Sequence, residues 1–308
     1  MAERKNIDVA VFGSINADTT YQVQNLPDPG ETVLGLGRLN APGGKGANQA
    51  VSIAALGVEV DLIAAVGEDD AGRALIDSLT VKKVKTERIV CLPDELTGSA
   101  IILVSSSGEN SIIVHPGANA ALTDEHVQDY LKQRKPKVIL AQLEIPLTTA
   151  LSACSNTDAT VILNPAPMPE RGDTLGQLIQ SADILVPNQA ELAALAGQAI
   201  PTTFDEVTAC AKLLDFDGRL IVTLGSNGAL IFPNGVRLDS IHVPASPVEA
   251  VDTSGAGDAF CGALAVGIIA GKDLFDATTY ATEFASWTVT QLGAQVAEKP
   301  PNSLILNN

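Results

Sequence analysis

The stretch VDTSGAGDAF, residues 251–260, decides the fold of this chain. Residues 261–270 continue it as a run of small and apolar side chains without a charge, which is typical of a buried helix. Gly255 and Gly257 allow a ligand to approach the backbone closely. Because the first turn of a helix carries unpaired N–H groups and a partial positive charge, we predict a phosphate-binding helix N-terminus here.

Asp258 lies in that first turn, where a carboxylate would repel a bound anion. Two interpretations of this residue remain open at this point. In one, Asp258 takes a proton from a hydroxyl group while the backbone amides hold a phosphoryl group. In the other, it is an ordinary acidic residue that complements the helix dipole.

Length and composition predict a protein with a substantial core in one or two domains, since the chain has 308 residues and 46% hydrophobic residues. The first residues have no apolar signal-peptide core, and no apolar run reaches the length of a membrane span. The four cysteines form no CxxC pair, so we expect a soluble protein of the cytoplasm. A net charge of −17 argues against nucleic acid or an anionic membrane as partner.

Polar side chains follow the first predicted strand, residues 7–13, at the edge where open α/β sheets bind ligands. Asn16 and Asp18 are two positions apart, so in an extended chain they point the same way and could hold vicinal hydroxyls. The alternative is an Asx-type turn after the strand.

A second glycine-rich segment, residues 42–50, enters a predicted helix that ends near Leu56. It matches neither the Walker loop nor the dinucleotide-binding fingerprint GxGxxG. Its backbone amides and Asn48 could meet a polyol at close range. The alternative is a tight turn alone.

Acidic side chains also follow later strands. Glu144 comes after a strand predicted at residues 138–143, where it is either a ligand-binding carboxylate or part of the cap of the next helix. Asn188 and Glu191 lie three apart at a predicted helix start. They could serve a magnesium site, directly or through water, or form a helix cap, and the two roles are compatible.

Strands alternate with helices from Val60 onward, which predicts a mainly parallel sheet with helices on both faces. Further strands are predicted at residues 60–67, 160–163, 183–186 and 220–224, and a last helix from about 274 to 291. Two antiparallel patches, around residues 14–42 and 99–115, do not fit this alternation. We expect one α/β domain, residues 1–308, in which these patches form a small β lid over the sheet edge.

Six motifs, in order along nearly the whole chain, resemble those of the ribokinase family of carbohydrate kinases. They are residues 14–18 with 43–50, 142–144, 164–167, 187–191, 223–228 and 252–258. The resemblance implies a three-layer α/β sandwich with a mainly parallel central sheet and a small β-sheet lid.

The resemblance also implies a role for individual residues. Asp258 would be the catalytic base, beside an anion hole at Ser254, Gly255, Ala256 and Gly257. The sugar would be held by Asn16, Ala17, Asp18, Gly44, Lys45, Gly46, Ala47, Asn48, Glu144 and Asp258. ATP would be held by Asn188, Thr223, Leu224, Gly225, Ser226, Asn227, Gly228, Gly257, Asp258 and Thr282. Mg²⁺ would lie at Asn188 and Glu191, and an activating K⁺ at Asp252, Ser254, Thr288, Gln291 and Gly293.

Two positions depart from the family pattern. Ala297 stands where a small polar residue is usual, so one potassium ligand is missing or replaced by water. Thr282 stands where a larger residue often contacts the adenine ring, which leaves that contact open.

The activity implied is ATP-dependent phosphorylation of D-ribose at O5, in a homodimer that pairs through the lid. The first alternative is a related kinase for deoxyribose, fructose or a nucleoside such as adenosine. The second is a sugar-binding protein without activity, against which the intact Gly255–Asp258 segment argues. An oxidoreductase is disfavoured because no dinucleotide fingerprint follows the first strand.

Overall fold

Short apolar runs form the strands of two sheets in the computed structural model, which describes residues 5–306. The strands are β1 Lys5–Phe12, β2 Asn16–Val23, β3 Gly35–Gly43, β4 Val60–Gly67, β5 Ile89–Leu92, β6 Gly98–Ser105, β7 Asn110–His115, β8 Arg134–Ala141, β9 Thr160–Leu163, β10 Ile184–Leu185, β11 Arg219–Thr223, β12 Ala229–Phe232 and β13 Ile241–Val243. The helices are α1 Lys45–Ala55, α2 Asp70–Val81, α3 Asp124–Gln133, α4 Leu147–Cys154, α5 Asp173–Gln180, α6 Gln189–Ala196, α7 Phe204–Ala211, α8 Ala256–Ile269 and α9 Leu274–Thr288.

The larger sheet has nine strands in the order β13-β12-β11-β10-β9-β8-β1-β4-β5. All neighbouring strands from β11 to β5 are parallel, and β12 and β13 are added antiparallel at one edge. The chain proceeds from β1 to β4 on one side and from β8 to β9 on the other, so the strand order reverses between β1 and β8. Ligands of open α/β sheets bind at the carboxyl edge beside such a reversal.

Apolar side chains cover both faces of this sheet, which confirms the three-layer sandwich. In β1, Val9 and Val11 pack on one face with α1, α2, α8 and α9. Ala10 and Phe12 pack on the other face with α3 to α7. The alternation follows the two-residue period of a strand, and its apolar residues on both faces are typical of a buried parallel strand.

The smaller sheet has four strands in the order β3-β2-β6-β7. Each predicted patch is an antiparallel pair, and the two pairs are joined because β2 and β6 run parallel. The sequence does not predict this parallel pairing. Asn16, the first residue of β2, lies four residues after the end of β1, so the small sheet begins at the ligand-binding edge of the large one.

Most predicted element boundaries agree with the structure within a few residues. The strands at residues 60–67 and 160–163 are confirmed. β8 begins at Arg134, before the predicted start, and ends three residues before Glu144. The last helix ends at Thr288 instead of near Gln291. None of the helices formed by residues 5–306 has the length and apolar character needed to cross a membrane.

The helices α1 and α8 lie unusually close together, and this contact positions the site. A Cβ atom at Gly262 of α8 would be 2.8 Å from Cβ of Ser52 and 2.9 Å from the backbone oxygen of Gln49, both in α1. Real Cβ atoms essentially never approach other atoms to within 3.0 Å. Only glycine at position 262 therefore permits this spacing, which brings the side chains of α1 to the N-terminal turn of α8.

Substitution Gly262→Ala is expected to lower the free energy of unfolding by about 1–3 kcal/mol, because the added methyl group overpacks the contact between α1 and α8. The matched control is Gly176→Ala in α5, where a Cβ would meet nothing within 4 Å. That control should raise stability by roughly 0.5–1 kcal/mol through helix propensity. Urea unfolding of both variants measures the difference, and equal effects would contradict the close-packing account.

Candidate active site

The carboxyl edge of the large sheet and the N-terminal ends of α1, α6 and α8 enclose a cavity of about 510 Å³. Its lining includes Lys45, Asn188, Glu191 and the segment Gly255–Asp258. These residues are spread over more than 200 positions of the sequence, and the parallel topology brings them together. The cavity lies at the edge where the sequence predicts ligand binding.

Asp258 is buried, with 6% of its surface exposed. Its Oδ2 accepts a hydrogen bond from Nδ2 of Asn48 at 2.9 Å, and its Oδ1 accepts one from Nε2 of Gln49 at 3.0 Å. Burial raises the pKa of this carboxyl group, against the opposing effects of nearby Lys45 and the two amide donors. A buried carboxylate with raised proton affinity beside a cavity is suited to act as a base.

The N-terminus of α8 has the geometry expected of an anion site. Gly255, the residue before the helix, has φ of 72°, in the left-handed region that favours glycine. Added bulk at Gly255 would also overlap the backbone of Ala294, whereas a Cβ at Gly257 would meet nothing within 4 Å. The backbone at Gly257 is thus open to the cavity, where the unpaired amides of a first helical turn attract anions.

Asn48, which bonds Asp258, and Asp18 each leave a buried acceptor atom free. Oδ1 of Asn48 and Oδ1 of Asp18 are buried and have no hydrogen-bond partner among the residues that the structure describes. Burial and the nearby charge of Glu144 raise the pKa of Asp18 to about 6, although a backbone hydrogen bond from Ala100 opposes the rise. Buried acceptors without partners cost free energy that a ligand with hydroxyl groups would recover.

Asn16 is fixed by a residue that the sequence analysis does not single out. Nδ2 of Asn119 donates to Oδ1 of Asn16 at 2.8 Å. Asn119 also bonds the backbone of Ile15, accepting from its nitrogen at 3.0 Å and donating to its oxygen at 3.1 Å. Because the carbonyl of Asn16 is used in this way, its amide group remains to donate to a ligand.

Glu144 stabilises the N-terminus of α1. Neither of the two roles predicted for Glu144 includes this contact. Its Oε2 accepts from the backbone nitrogen of Lys45, the first residue of α1, at 3.0 Å, and from Oγ of Ser14. The helix that follows Glu144 begins after Pro146 without a side-chain cap. The cap interpretation for that helix is therefore wrong, and Glu144 joins the N-terminus of α1 to the segment that follows β1.

Lys45 lies on the cavity wall together with Asp258 and Glu191. Burial alone would lower the pKa of its ammonium group, but the carboxylates of Asp258, Glu144 and Glu191 outweigh burial and raise that pKa. Lys45 therefore remains a cation on the wall where the amides of α8 open. This location suits contact with an anion as well as the predicted contact with a sugar.

Asn188 and Glu191 form the helix cap that the sequence offers as one interpretation. Oδ1 of Asn188 accepts from the Glu191 backbone nitrogen at 2.8 Å. Glu191 in return accepts from the backbone nitrogen of Asn188 at 2.8 Å and from its Nδ2 at 2.9 Å. Burial raises the pKa of Glu191, opposed by the Asn188 hydrogen bond and by Lys45.

The oxygen atoms of this cap are hard donors at the cavity wall, which fits Mg²⁺ bound through water. Within the described range 5–306, no three His, Cys, Asp or Glu side chains are grouped to hold one metal ion.

A second, mainly apolar cavity of about 440 Å³ adjoins the first and shares Thr223, Gly225, Thr253, Ala256 and Gly257 with it. The rest of its wall is formed by Ser226, Gly228, Ala245–Val248, Ala250, Phe260, Thr282, Ala285, Ser286 and Val289. The hydroxyl of Thr282 donates within α9 to the oxygen of Thr278 at 2.8 Å, which leaves its methyl group for a ligand. A flat apolar ring fits this cavity.

Several predicted contact residues line neither cavity. On the sugar side these include Asn16, Asp18, Asn48 and Glu144, whereas Lys45 and Asp258 line the first cavity. Leu224 packs in the core beside the large sheet, and the backbone oxygen of Asn227 is bonded to His242. Ala17 and Ala47 pack against the opposite core. Gly44 and Gly46 allow the start of α1 to approach residues 13–16, which follow β1, since added Cβ atoms there would lie within 2.8 Å of backbone atoms of that segment. These residues take part in packing or backbone contacts, and their predicted contacts with the sugar or ATP stay predictions.

The residues expected around K⁺ lie together behind Gly255. Ser254, Thr288, Gln291 and Gly293 line a small hollow of about 10 Å³. Both oxygens of Asp252 accept hydrogen bonds, from the backbone nitrogens of Ser254 and Gly293, each at 2.9 Å. Burial opposes ionisation of Asp252, but these N–H donors outweigh burial and lower its pKa. Asp252 does not line the hollow, so its carboxylate fixes the backbone at Ser254 and Gly293, and K⁺ binding at these residues stays a prediction.

Sequence reasoning misses Asn119, Gln49 and Phe260 as site residues. Gln49 directly follows the predicted residue Asn48, so its position in the sequence could have identified it as a site residue. Phe260 is two positions after Asp258, inside the quoted stretch. Asn119 belongs to a short 3₁₀ helix 103 positions from its partner Asn16, and no local pattern connects them.

Replacement Asp18→Asn is expected to stabilise the protein at pH 7.5 and to give a smaller gain at pH 5. The pKa of Asp18 is about 6 in the folded state, above its value of 3.8 without burial, so the folded carboxylate is penalised above pH 6. That penalty declines as the pH falls from 6 towards 4, and Asn never carries it.

Urea unfolding at the two pH values measures the gain, which has an upper limit of about 3 kcal/mol. The exposed turn residue Asp94, replaced by Asn, serves as the control for the loss of a negative charge at the surface. A gain that is the same at both pH values would contradict the burial of an ionised Asp18.

Comparison with known proteins agrees with this geometry. A family model described as pfkB family carbohydrate kinase matches residues 6–300. The ribokinase of Bacillus subtilis is 36% identical over 293 residues, which cover 94% of each chain. The deoxyribokinase of Salmonella typhi is 36% identical with the same 94% coverage of each chain.

Among solved structures, Arabidopsis thaliana ribokinase complexed with ribose and ATP superposes with a TM-score of 0.82 at 31% identity. The superposition covers 94% of each chain. The match of the family model over nearly the whole sequence, the relatives above 30% identity and the shared fold lead to one conclusion. The chain belongs to the pfkB family of carbohydrate kinases.

Proposed function

We propose that this chain transfers the terminal phosphoryl group of ATP to the O5 hydroxyl of D-ribose, forming D-ribose 5-phosphate and ADP. The observation that carries the proposal is the position of Asp258. Its buried carboxylate lies in the first turn of α8, on the wall of the cavity into which the amides of that turn open. It is also bonded to Asn48, whose free Oδ1 is suited to a sugar hydroxyl.

The proposed step needs one proton acceptor and one site for developing negative charge. Asp258 takes the proton of the O5 hydroxyl as that oxygen forms a bond to the γ-phosphorus, while the bond from phosphorus to the leaving oxygen of ADP breaks. The backbone amides of Gly255–Gly257 and the ammonium group of Lys45 stabilise the phosphoryl oxygens. Phosphoryl transfer depends mainly on such positioning and charge stabilisation, with little covalent chemistry by the protein.

The two connected cavities give the nucleotide a continuous location. The apolar cavity with Phe260 and Thr282 would take the adenine ring, and the shared residues Thr223, Gly225 and Gly257 would lie along the phosphates. The solved structure of a relative with ribose and ATP supports both ligands for this chain.

The free polar groups of the residues predicted to hold the sugar favour ribose as the substrate. Asn16 has a free amide, and Asp18 and Asn48 have buried acceptors without partners among the described residues. Vicinal hydroxyls would satisfy these groups, whereas 2-deoxyribose lacks one of them. The ribokinase of Bacillus subtilis supports this choice, but the equally similar deoxyribokinase makes 2-deoxyribose the second candidate.

Two cations complete the proposal. Mg²⁺ would be held near Asn188 and Glu191 through water, and K⁺ near Asp252, Ser254 and Gly293. When bound, Mg²⁺ neutralises phosphate charge. The carboxylate of Asp252 bonds the backbone of Gly293 to the segment that precedes α8, so it holds the anion site in place.

A homodimer through the small sheet is part of the same proposal. The strand register places Leu39, Ala41, Ala100, Ile102, Ile112 and Val114 on the face that also carries Asp18. We call this set the apolar lid face. Its side chains at Leu39 and Ile112 are 63% and 54% exposed. A second copy of this face would cover them, and closure of the lid would exclude water from the sugar.

Substitution Asp258→Asn tests the chemistry. It keeps the size of the side chain but removes the proton acceptor, so kcat for D-ribose should fall by about 10²–10⁴-fold while the protein remains folded. ADP release with ATP and Mg²⁺ measures the rate, and phosphorus NMR of the product gives the position of the phosphate. The control is Asp239→Asn, in the loop between β12 and β13, which should retain the wild-type rate.

The same assay compares D-ribose with 2-deoxyribose, fructose and adenosine. Because the missing hydroxyl leaves buried polar groups unpaired, kcat/KM for 2-deoxyribose should be lower by roughly 10²-fold or more. Equal or better turnover of 2-deoxyribose would overturn the ribose assignment and keep the mechanism. Wild-type rates in Asp258→Asn would overturn the mechanism itself.

Substitution Ile112→Lys tests the dimer. A charge on the apolar lid face should convert the dimer to a monomer, since desolvating a lysine in an apolar interface is unfavourable. The neighbouring Ile113, which is 64% exposed, points to the opposite face, so Ile113→Lys is the matched control. Sedimentation velocity gives the assembly state, and a monomeric wild type or equal dissociation of both variants would contradict the proposal.

A further inference from the structure

We propose that Gln49 positions the carboxylate of Asp258 for catalysis and that Gln142 acts through Gln49. Gln49 is a positioning residue in this account, since its contacts are with the base and it lines neither cavity. The inference rests on the proposed role of Asp258 as the base. It adds two residues that carry no charge and cannot transfer the proton themselves.

Asp258 is held at both of its oxygens by neighbouring residues of one helix. Nδ2 of Asn48 donates to Oδ2 at 2.9 Å, and Nε2 of Gln49 donates to Oδ1 at 3.0 Å. One donor at each oxygen fixes the rotation of the carboxylate plane, and each oxygen retains a second lone pair. A base held in this way presents its free lone pairs in fixed directions, which general base catalysis requires.

Gln49 is itself held by a second glutamine. Its Oε1 accepts a hydrogen bond from Nε2 of Gln142, which lies directly after β8. A carboxylate can only accept hydrogen bonds, so the group of Gln49 that faces Asp258 is its NH₂ group. The carbonyl of Gln49 must therefore face Gln142, and Gln142 must donate a hydrogen bond to it from its own NH₂ group. The orientation of both amides follows from the charge of Asp258.

The chain of hydrogen bonds from Gln142 through Gln49 to Asp258, called the relay below, is anchored in the large sheet. Gln49 and Gln142 are completely buried, with 0% exposure. Nε2 of Gln49 also lies 3.5 Å from Oδ1 of Asn164, whose Nδ2 donates to the oxygen of Val186 at 2.9 Å. The carboxylate of Asp258 on α8 is thus connected through α1 to the ends of β8 and β9.

This arrangement has a cost that packing alone does not explain. Oε1 of Gln142 is buried and has no partner among residues 5–306. Any side chain at Gly13 would overlap that atom, so a glycine is needed to accommodate Gln142. Two apolar side chains would fill the same space without an unsatisfied acceptor. The function that requires two glutamines is the orientation of the N–H group that meets Asp258.

Other titratable groups near Asp258 contribute to its electrostatic environment. Lys45 of α1 opposes the rise in its pKa, and Glu144, in the loop after β8, adds to that rise. Glu191 of α6 and Cys261 of α8 lie on the same cavity wall. Loss of the Gln49 donor leaves all of these in place, so its effect should fall on the orientation and the charge of the base and leave ligand binding unchanged.

The first test is Gln49→Met, which keeps the length of the side chain and removes the donor. We expect kcat for D-ribose to fall by about 10–100-fold, with KM for ribose and ATP within about twofold, and the acidic limb of the kcat profile to move up by about one pH unit. The control is Ser52→Ala, one turn along the same helix, whose hydroxyl bonds the oxygen of Asn48. It should keep kcat and the pH profile.

A double-mutant cycle tests the relay. Gln142→Met alone should also lower kcat at unchanged KM, and it should lower kcat little further when Gln49 is already Met. Equal effects of Gln142→Met in both backgrounds would overturn the relay. Wild-type kcat and pH profile in Gln49→Met would overturn the proposal. If Gln49→Met does not fold, Gln142→Met alone decides, because unchanged kcat there contradicts the role of the pair.

An infrared measurement separates this inference from the proposed function. The difference spectrum of wild type minus Asp258→Asn isolates the Asp258 carboxyl band, with no substrate present. In the Gln49→Met background, protonation of that band should occur at a higher pH than in the wild type. An unchanged midpoint would contradict the contact. Absence of sugar phosphorylation by the wild type, with the shift present, would refute the proposed function alone.

Discussion

The burial of one carboxylate between two helices is the constraint on which the rest of the structure depends. Asp258 loses its water on folding, and the amides of Asn48 and Gln49 replace it. This replacement is possible because Gly262 lets α1 and α8 approach closely. The same contact places the base beside the positive end of α8, so packing and chemistry depend on one interface.

The site must bind an anion and hold a negatively charged base within the same helical turn. An anion-binding helix end attracts negative charge, and a base in the same turn adds to it. Lys45 resolves the conflict, because its cation lies among Asp258, Glu144 and Glu191, whose charges keep it protonated. Glu144 holds the backbone of the same residue, so the position of the cation is fixed through the start of α1.

The sequence predicts the large sheet and the location of the site well, because both depend on local patterns. Strands such as β4 and β9 are continuous apolar runs, and polar residues follow them at the carboxyl edge. The parallel pairing of β2 with β6 joins segments about 80 positions apart. It depends on the tertiary fold, so no local sequence pattern predicts it. The contacts of Asn119 with Asn16 and of Gln142 with Gln49 depend on distances that only the folded chain defines.

The most direct test of the account is a crystal structure with D-ribose and a non-hydrolysable ATP analogue. The account predicts the O5 hydroxyl within about 2.6–3.2 Å of a carboxylate oxygen of Asp258, the distance at which a base accepts a proton. It also predicts the γ-phosphate at the amides of Gly255–Gly257, in line with O5. A sugar whose O5 points away from Asp258, or a γ-phosphate bound elsewhere, would contradict the account.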